Sequence, residues 1–321
     1  MRKLLALLLI VTAPAVALAQ SERTAPANPA SVLIKAYPDF LDRIEANDLV
    51  WKDGTRMRID DGKGAKAFDA LLDDPDIKDI FLMKYPLGRQ GLAPALNFDP
   101  GRVRYAPLYK KMYGDCRGGE VLANAVNVVW LPSNYGKNLK FSKINGAAAA
   151  LGRVSDELDK LPQRFLAYVR PSQGTYNCRL VAGTNRESTH GLGIAIDIAA
   201  AHSHYWQWSK PDADGRFSYK NEIPWEIVEI FERHGFIWGG KWYHYDTMHF
   251  EYRPEILHAL ATATGFGTIA ADGRPPLSGK QHMARRTSLR AAGAVLSLSS
   301  QARASHMFDW AGAPIVELAL P

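Results

Sequence analysis

Ser188-Thr189-His190-Gly191-Leu192-Gly193-Ile194-Ala195-Ile196-Asp197 is the stretch on which the reading of this chain turns. Its two glycines let the backbone turn closely after His190. From Ala195 to Ala199 small or polar residues alternate with bulky apolar ones, which predicts a half-buried strand. Asp197 then shares a face with Ala195 and Ala199, whose small side chains leave room for a ligand. A second stretch, Asp246-Thr247-Met248-His249-Phe250-Glu251, adds an imidazole with a carboxylate three residues before it. Two His and one Asp make a three-ligand zinc site with a position left for water, the pattern of a catalytic metal. By spacing alone, the first stretch fits equally well a capped turn followed by a strand with a buried Asp.

The second stretch carries its own geometric condition. Asp246 and His249 are an odd number of positions apart and would face opposite ways on a regular strand, so both reach one site only across a turn or bulge. Glu251 shares a strand face with His249 and competes with Asp246 for the role of general base; spacing leaves both open. The other histidines of the nine have ordinary readings. His202 and His204 lie on a polar, aromatic-rich loop, and His234 closes a helix, where a cation suits the dipole. His244 is a rival ligand, and His258, His282 and His306 belong to the last helix or the tail.

The ends of the chain read differently from its body. Arg2 and Lys3, the apolar run Leu4 to Val11 and Ala17-Leu18-Ala19 form an export signal with cleavage expected after Ala19. No later stretch approaches the roughly 20 apolar residues of a membrane span. The mature protein is therefore expected to be periplasmic or secreted, without a stable span, and a monomer. Cys116 and Cys178, an even pair in an oxidising compartment, are expected to form a structural disulfide. The formal charge is +6. The signal contributes two of these charges, and residues 262–321 carry six basic against three acidic residues. The body is nearly neutral and has no basic stripe to track phosphates, which argues against a nucleic-acid partner.

Five segments follow: a signal peptide (1–19), a loose Ala/Pro/Ser-rich leader (20–36), an N-terminal extension or subdomain (37–140), a catalytic core (141–261) and a mostly disordered tail (262–321). Within the folded part, Leu49-Val50-Trp51 and Met57-Arg58-Ile59 flank the hairpin signal Lys52-Asp53-Gly54. Ala65 to Leu72 reads as a short helix, Val126 to Leu131 as a buried strand, Ile144 to Leu158 as a helix and Phe165 to Val169 as a strand. The clearest helix runs from Pro224 to His234. Ile223, Ile227, Ile230 and Phe231 lie on one face, Glu222, Glu226, Glu229 and Arg233 on the other, and Gly235 ends it. Phe236 to Trp242 follows as a strand with a glycine turn.

These residues carry a family resemblance. Ser188 to Asp197 matches the Ser-x-His-x-x-Gly-x-Ala-x-Asp signature of the zinc D-alanyl-D-alanine carboxypeptidases, which include vancomycin-resistance enzymes and phage L-alanyl-D-glutamate endolysins. Asp246-x-x-His249-Phe250-Glu251, preceded by Trp238-Gly239-Gly240-x-Trp242, resembles the closing motif of the endolysin-like branch. The resemblance spans roughly Phe165 to Pro254. It implies an α+β fold of the hedgehog/DD-peptidase type, a small antiparallel sheet carrying the zinc site with helices packed on it. It makes His190, Asp197 and His249 the ligands of one Zn2+, Asp246 the catalytic acid/base and Glu251 a supporting residue behind the ligands. An arginine upstream of the first His would hold the substrate carboxylate or steady the oxyanion; Arg179 is the choice and Arg186 the rival. Ser188 is expected to orient His190 or touch the substrate, and Trp238, Trp242 and Trp206 either wall the substrate groove or pack in the core.

The implied activity is hydrolysis of peptidoglycan stem peptides, first as a D-Ala-D-Ala carboxypeptidase. The alternative is an L-Ala-D-Glu-type endopeptidase. From another class comes a non-catalytic zinc-containing wall-binding module, which would be expected to have lost the base or a ligand.

Overall fold

Among the described residues, three small antiparallel sheets and eight α-helices make up an α+β arrangement. The structure, a computed structural model, describes residues 30–91 and 93–264. The expected signal peptide, the first part of the leader and the tail beyond Thr264 lie outside the described residues. None of the described helices is long and apolar enough to cross a membrane.

The first sheet, β1 (Leu41–Glu45), β2 (Asp48–Trp51) and β3 (Arg56–Arg58), contains the expected hairpin. Asp53 accepts the Thr55 N–H at 2.9 Å and Gly54 takes φ +85°, so the Lys-Asp-Gly signal acts through an Asx turn. Residues 31–36, read as leader, instead form helix α1 (Ser31–Ala36). Val32 and Leu33 are buried there, and α1 packs on α8 (Pro254–Thr264), whose last turn also takes three residues assigned to the tail. Three bulky apolar residues in six, Val32 and Leu33 buried and Ile34 packed against the core, dock a segment that its composition made look loose.

Helix α2 (Phe68–Asp73) stops before Pro75 as expected. Helices α3 (Ala106–Tyr113) and α4 (Glu120–Ala123) lead into the second sheet, a hairpin of β4 (Ala125–Trp130) and β5 (Lys137–Ser142). β4 is only half buried: Val128 and Trp130 face α5 (Ala147–Leu158), whereas Val126 and Val129 are exposed. Val129 points to the face that a two-stranded sheet leaves to solvent, whereas Val126 shares the face of Val128 and Trp130 and is exposed near the strand's start. Phe165 to Val169 is not a strand; a 3-10 turn runs into helix α6 (Leu166–Val169). Phe165, Leu166 and Val169 are buried, a helical spacing rather than a period of two.

The third sheet positions the site. Its order is β6 (Ala195–Asp197), β8 (His249–Tyr252), β7 (Phe236–Trp238), with β8 in the centre. One face presents Ile196, Phe250 and Trp238 to α7 (Trp225–Arg233), where Phe250 stacks on Phe231 with centroids 3.8 Å apart. The other face carries Asp197, His249 and Glu251. Residues 98–104 of the N-terminal part cross that face. The Tyr243 N–H donates to Phe98 O (2.9 Å), the Trp242 indole to Pro100 O (2.8 Å), and Arg253 to Gly101 O (2.6 Å). One apolar core runs from Ala30 through Tyr85, Trp130 and Phe231 to Leu257. The segment read as an extension or subdomain therefore shares its core with residues 141–261.

Cys116 and Cys178 are bonded, as expected. The bridge closes a loop with a sequence separation of 62, which by loop entropy is worth roughly 4 kcal/mol. Replacing both cysteines by serine is expected to lower the unfolding free energy by about that amount in a denaturant titration while leaving the far-UV circular dichroism unchanged.

Candidate active site

Register brings the first two donors together. In the β6–β8 pairing Asp197 lies directly opposite His249, and Ala195 opposite Glu251. The His249 Nδ1 is 2.8 Å from Asp197 Oδ1 and 3.2 Å from His190 Nε2, and His190 Nε2 is 3.1 Å from Asp197 Oδ2. Donor atoms of the three residues all lie within 4.8 Å of one another. His190 arrives on the tight turn before β6. There Gly193 takes φ +67°, and a Cβ on it would meet Val121 at 3.2 Å. A Cβ on Gly191 would lie 3.0 Å from Ser188 O and 3.4 Å from the Cys116 sulfur. The two glycines thus press the turn against the disulfide and β5.

The nitrogens facing away from the cluster are also held. His190 Nδ1 donates to the Thr175 carbonyl, which leaves Nε2 for the cluster. His249 Nε2 donates to Glu251 Oε1 at 3.0 Å, which turns Nδ1 inward. Fixing the outer nitrogen in this way sets ring orientation and ligand basicity. Glu251 in turn accepts the Thr189 hydroxyl at 3.1 Å, Arg104 at 3.0 Å and Arg253 at 3.2 Å.

The charges follow from these contacts. Burial alone would raise the Asp197 carboxyl, but His190 and His249 beside it hold it below the usual carboxylate range. Glu251 is likewise lowered, Arg104 and His249 outweighing its burial. Burial disfavours a cationic His249, yet its hydrogen bonds to Asp197 and Glu251 prevail and push it up to about 10. Two carboxylates on either side of this ring favour positive charge here, and two imidazoles with one carboxylate are a donor set that suits zinc. Among the described residues, two other acidic groups come close enough to hold an ion. One of them includes the bonded Cys116, and in the other Lys66 already places its ammonium 3.0 Å from Asp61.

Asp246 shares this cavity, whose volume is about 300 Å³ and whose walls include His190, Asp197 and His249. The expected turn is present: Thr247 and Met248 form it, and the His249 N–H reaches Asp246 O at 3.3 Å. Asp246 Oδ1 is buried without a hydrogen-bond partner among the described residues. Burial, then the charge of Asp197, pushes its carboxyl up to about 6.

The remaining expected residues divide. Ser188 lines the cavity and its hydroxyl accepts the His190 N–H at 3.3 Å. Arg179 is on the wall and exposed; Arg186 is not on it and pairs with Asp73 at 2.7 Å. Trp242 lines the cavity, but Trp238 does not. It is fully buried, packs on Phe250 and Trp225 and donates its indole N–H to Thr247 O, so its part is to hold the turn after Asp246. The wall tryptophan that the sequence did not single out is Trp208, and Trp206 is absent from the walls. His244 also lines the cavity but is bound to Asp99 at 2.8 Å, outside the donor cluster. His204 is tied to Glu222 and His234 to Glu157.

Sequence reasoning missed Arg102 and Arg104. Arg102 is anchored to buried Asp99 at 2.6 Å and lies over Trp242, and both arginines line the cavity. Their one signal was Arg102-Val103-Arg104 following Pro100-Gly101 in a nearly neutral body; nothing in that pattern points to a site whose residues lie from His190 to Glu251, far along the chain.

No curated protein and no solved structure matches the chain. Residues 182–252 match a family model described as D-alanyl-D-alanine carboxypeptidase. The matched segment carries Ser188, His190, Asp197, Asp246, His249 and Glu251, and the match supports a peptidase of the zinc D-alanyl-D-alanine peptidase family.

Proposed function

We propose that the protein is an exported zinc metallopeptidase that hydrolyses peptidoglycan peptides, acting as a D-alanyl-D-alanine carboxypeptidase. The observation that carries this reading is the convergence of His190, Asp197 and His249 beside a buried carboxylate, Asp246, with an unpaired oxygen. His190, Asp197 and His249 would hold a zinc ion, which when bound would supply Lewis acidity toward a scissile carbonyl and a more acidic water. Asp246 takes a proton from the attacking water and passes it to the leaving amine, a role that suits a carboxyl raised toward neutrality. Arg179, exposed on the wall, neutralises the developing oxyanion or holds a substrate carboxylate. Glu251 has its oxygens engaged by His249, Thr189 and two arginines, so it orients His249 and moves no proton. Ser188 steadies the His190 backbone, and Trp242 supplies an apolar wall.

An internal cut at L-Ala-D-Glu is the second reading. It is favoured by the continuation of the cavity past Arg102, Arg104 and Arg179, which gives room for chain on both sides of a scissile bond.

Zinc titration and steady-state kinetics test the assignments. His190→Ala is expected to lose both bound zinc and activity. Asp246→Asn should keep one zinc and lose about 10²- to 10⁴-fold in kcat; a fully active Asp246→Asn protein would show that Asp246 is not the base. Glu251→Gln is expected to weaken zinc binding about 10- to 100-fold and to recover most of its kcat when saturated with zinc. Failure to recover, together with an active Asp246→Asn, would move the base to Glu251. Mass spectrometry of defined muropeptides, with and without chelator, identifies the bond. Release of one alanine marks a carboxypeptidase and an internal cut an endopeptidase. Stoichiometric zinc with no cleavage would make the protein a binding module.

A further inference from the structure

The metal cavity opens into a second one. Arg102, Arg104 and Arg179 line both, and the second, of about 510 Å³, continues along the Cys116–Cys178 bridge toward the end of α2 and the start of α3. Most charges on its walls are already matched. Arg102 is paired with Asp99, Arg104 with Glu251, Arg186 with Asp73, and Lys110 with Asp115 at 2.8 Å and Glu187 at 3.6 Å.

Two guanidiniums are not matched. Arg117 and Arg179 form no ion pair among the described residues. Arg179 reaches only its neighbour's carbonyl, Leu180 O, at 3.5 Å, and Arg117 meets Asp115 through its backbone N–H and, beyond ion-pair distance, through its charge. Each follows directly on a half-cystine, and the two cysteine Cα atoms are 5.6 Å apart. The disulfide therefore fixes where two cations without an ion pair enter the wall of one groove. Both are exposed, so they face solvent along the groove rather than the core.

We infer that this second cavity is a carboxylate subsite, in which Arg117 and Arg179 bind the free carboxylates of a peptide whose scissile bond lies at the metal. The inference rests on the peptidase reading and extends it to the substrate class: an acidic peptide carrying carboxylates away from the bond that is cut. Planar guanidiniums match carboxylates in a bidentate fork. The acidic edge made by Asp73, Asp74 and Glu187, and the apolar patches of Leu72, Pro75 and Leu192, suit a peptide of mixed charge. They oppose a polyanion such as a phosphate chain. Arg117 lies outside the segment that matches the family model, so the selectivity is a property of this chain's N-terminal part.

Binding is measured on the full-length protein after metal removal by chelator, with isothermal titration calorimetry. The probes are the pentapeptide L-Ala-γ-D-Glu-meso-diaminopimelyl-D-Ala-D-Ala and the same peptide with its glutamate and diaminopimelate side carboxylates amidated. The free acid is expected to bind about tenfold tighter or more, the scale of hydrogen bonds between charged partners. Arg117→Gln should remove most of that preference and Arg117→Lys only part of it. Arg164→Gln, which removes an exposed charge over Phe165 elsewhere, should leave the preference intact. Equal affinity for the two peptides, no binding of either, or full preference in Arg117→Gln would overturn the inference. Cleavage by the zinc-loaded protein is scored separately: if neither peptide is cut, the peptidase reading fails while the preference between them still decides the subsite.

Discussion

The pairing of Asp197 with His249 across β6 and β8 is the constraint on which the site depends. Side chains alternate faces along a strand, so a slip of one residue in that register would put the two donors on opposite faces of the sheet. The register is pinned from behind. Ile196 lies opposite Phe250, and Phe250 is held between Phe231 and Trp238. A slipped pairing would expose these apolar groups and bury the carboxylates in their place. The apolar core on α7 thus fixes where the polar donors stand, and neighbours in the sequence are split between packing and chemistry.

A chain of buried charge ties the N-terminal part to the same sheet. His249 donates to Glu251, Glu251 meets Arg104 and Arg253, and Arg253 pairs with Glu255 and with the Tyr109 hydroxyl at 2.8 Å. Tyr37, from the turn after α1, also donates to Glu255. Burying so many charges is tolerated only when each has partners, and removing one partner leaves another uncompensated at a cost of about 3–5 kcal/mol. Such a network is a weak source of net stability but a strong source of geometry. It makes residues 98–109 a structural part of the site rather than an appendage to it.

What was legible in the sequence was local. Ser188 to Asp197 and Asp246 to Glu251 are short, and their donors sit at fixed offsets from glycines and from a strand alternation, so periodicity and chemistry could both be read. The hairpin at Lys52-Asp53-Gly54 and the helix after Pro224 were legible for the same reason. What was not legible depended on partners far along the chain. Phe165 to Val169 carries apolar residues in a run too short for periodicity to separate strand from helix, and packing decided for helix. Trp238 and Trp242 are equivalent as text, yet one stacks on Phe250 in the core and the other faces Arg102. Whether Val126 and Val129 were buried depended on the width of a sheet that the strand itself does not encode. Arg102 and Arg104 acquire meaning only when residues 98–104 are laid across β8.

The two carboxylates that compete in the sequence are separated by their surroundings. Glu251 meets two guanidiniums, a hydroxyl and a ring N–H, so its charge is stabilised and its lone pairs are spent. Asp246 has one oxygen buried without a partner and faces the negative charge of Asp197, which raises its carboxyl. A proton carrier needs a free lone pair and an affinity for protons near the working pH, and it needs to face the cavity. Glu251 meets only the last of these, and Asp246 meets all three. The distinction comes from the turn at Thr247 and Met248, which swings Asp246 out of the strand. A regular strand would have placed it among the core residues beside Phe250, where a carboxylate has no function and a large desolvation cost.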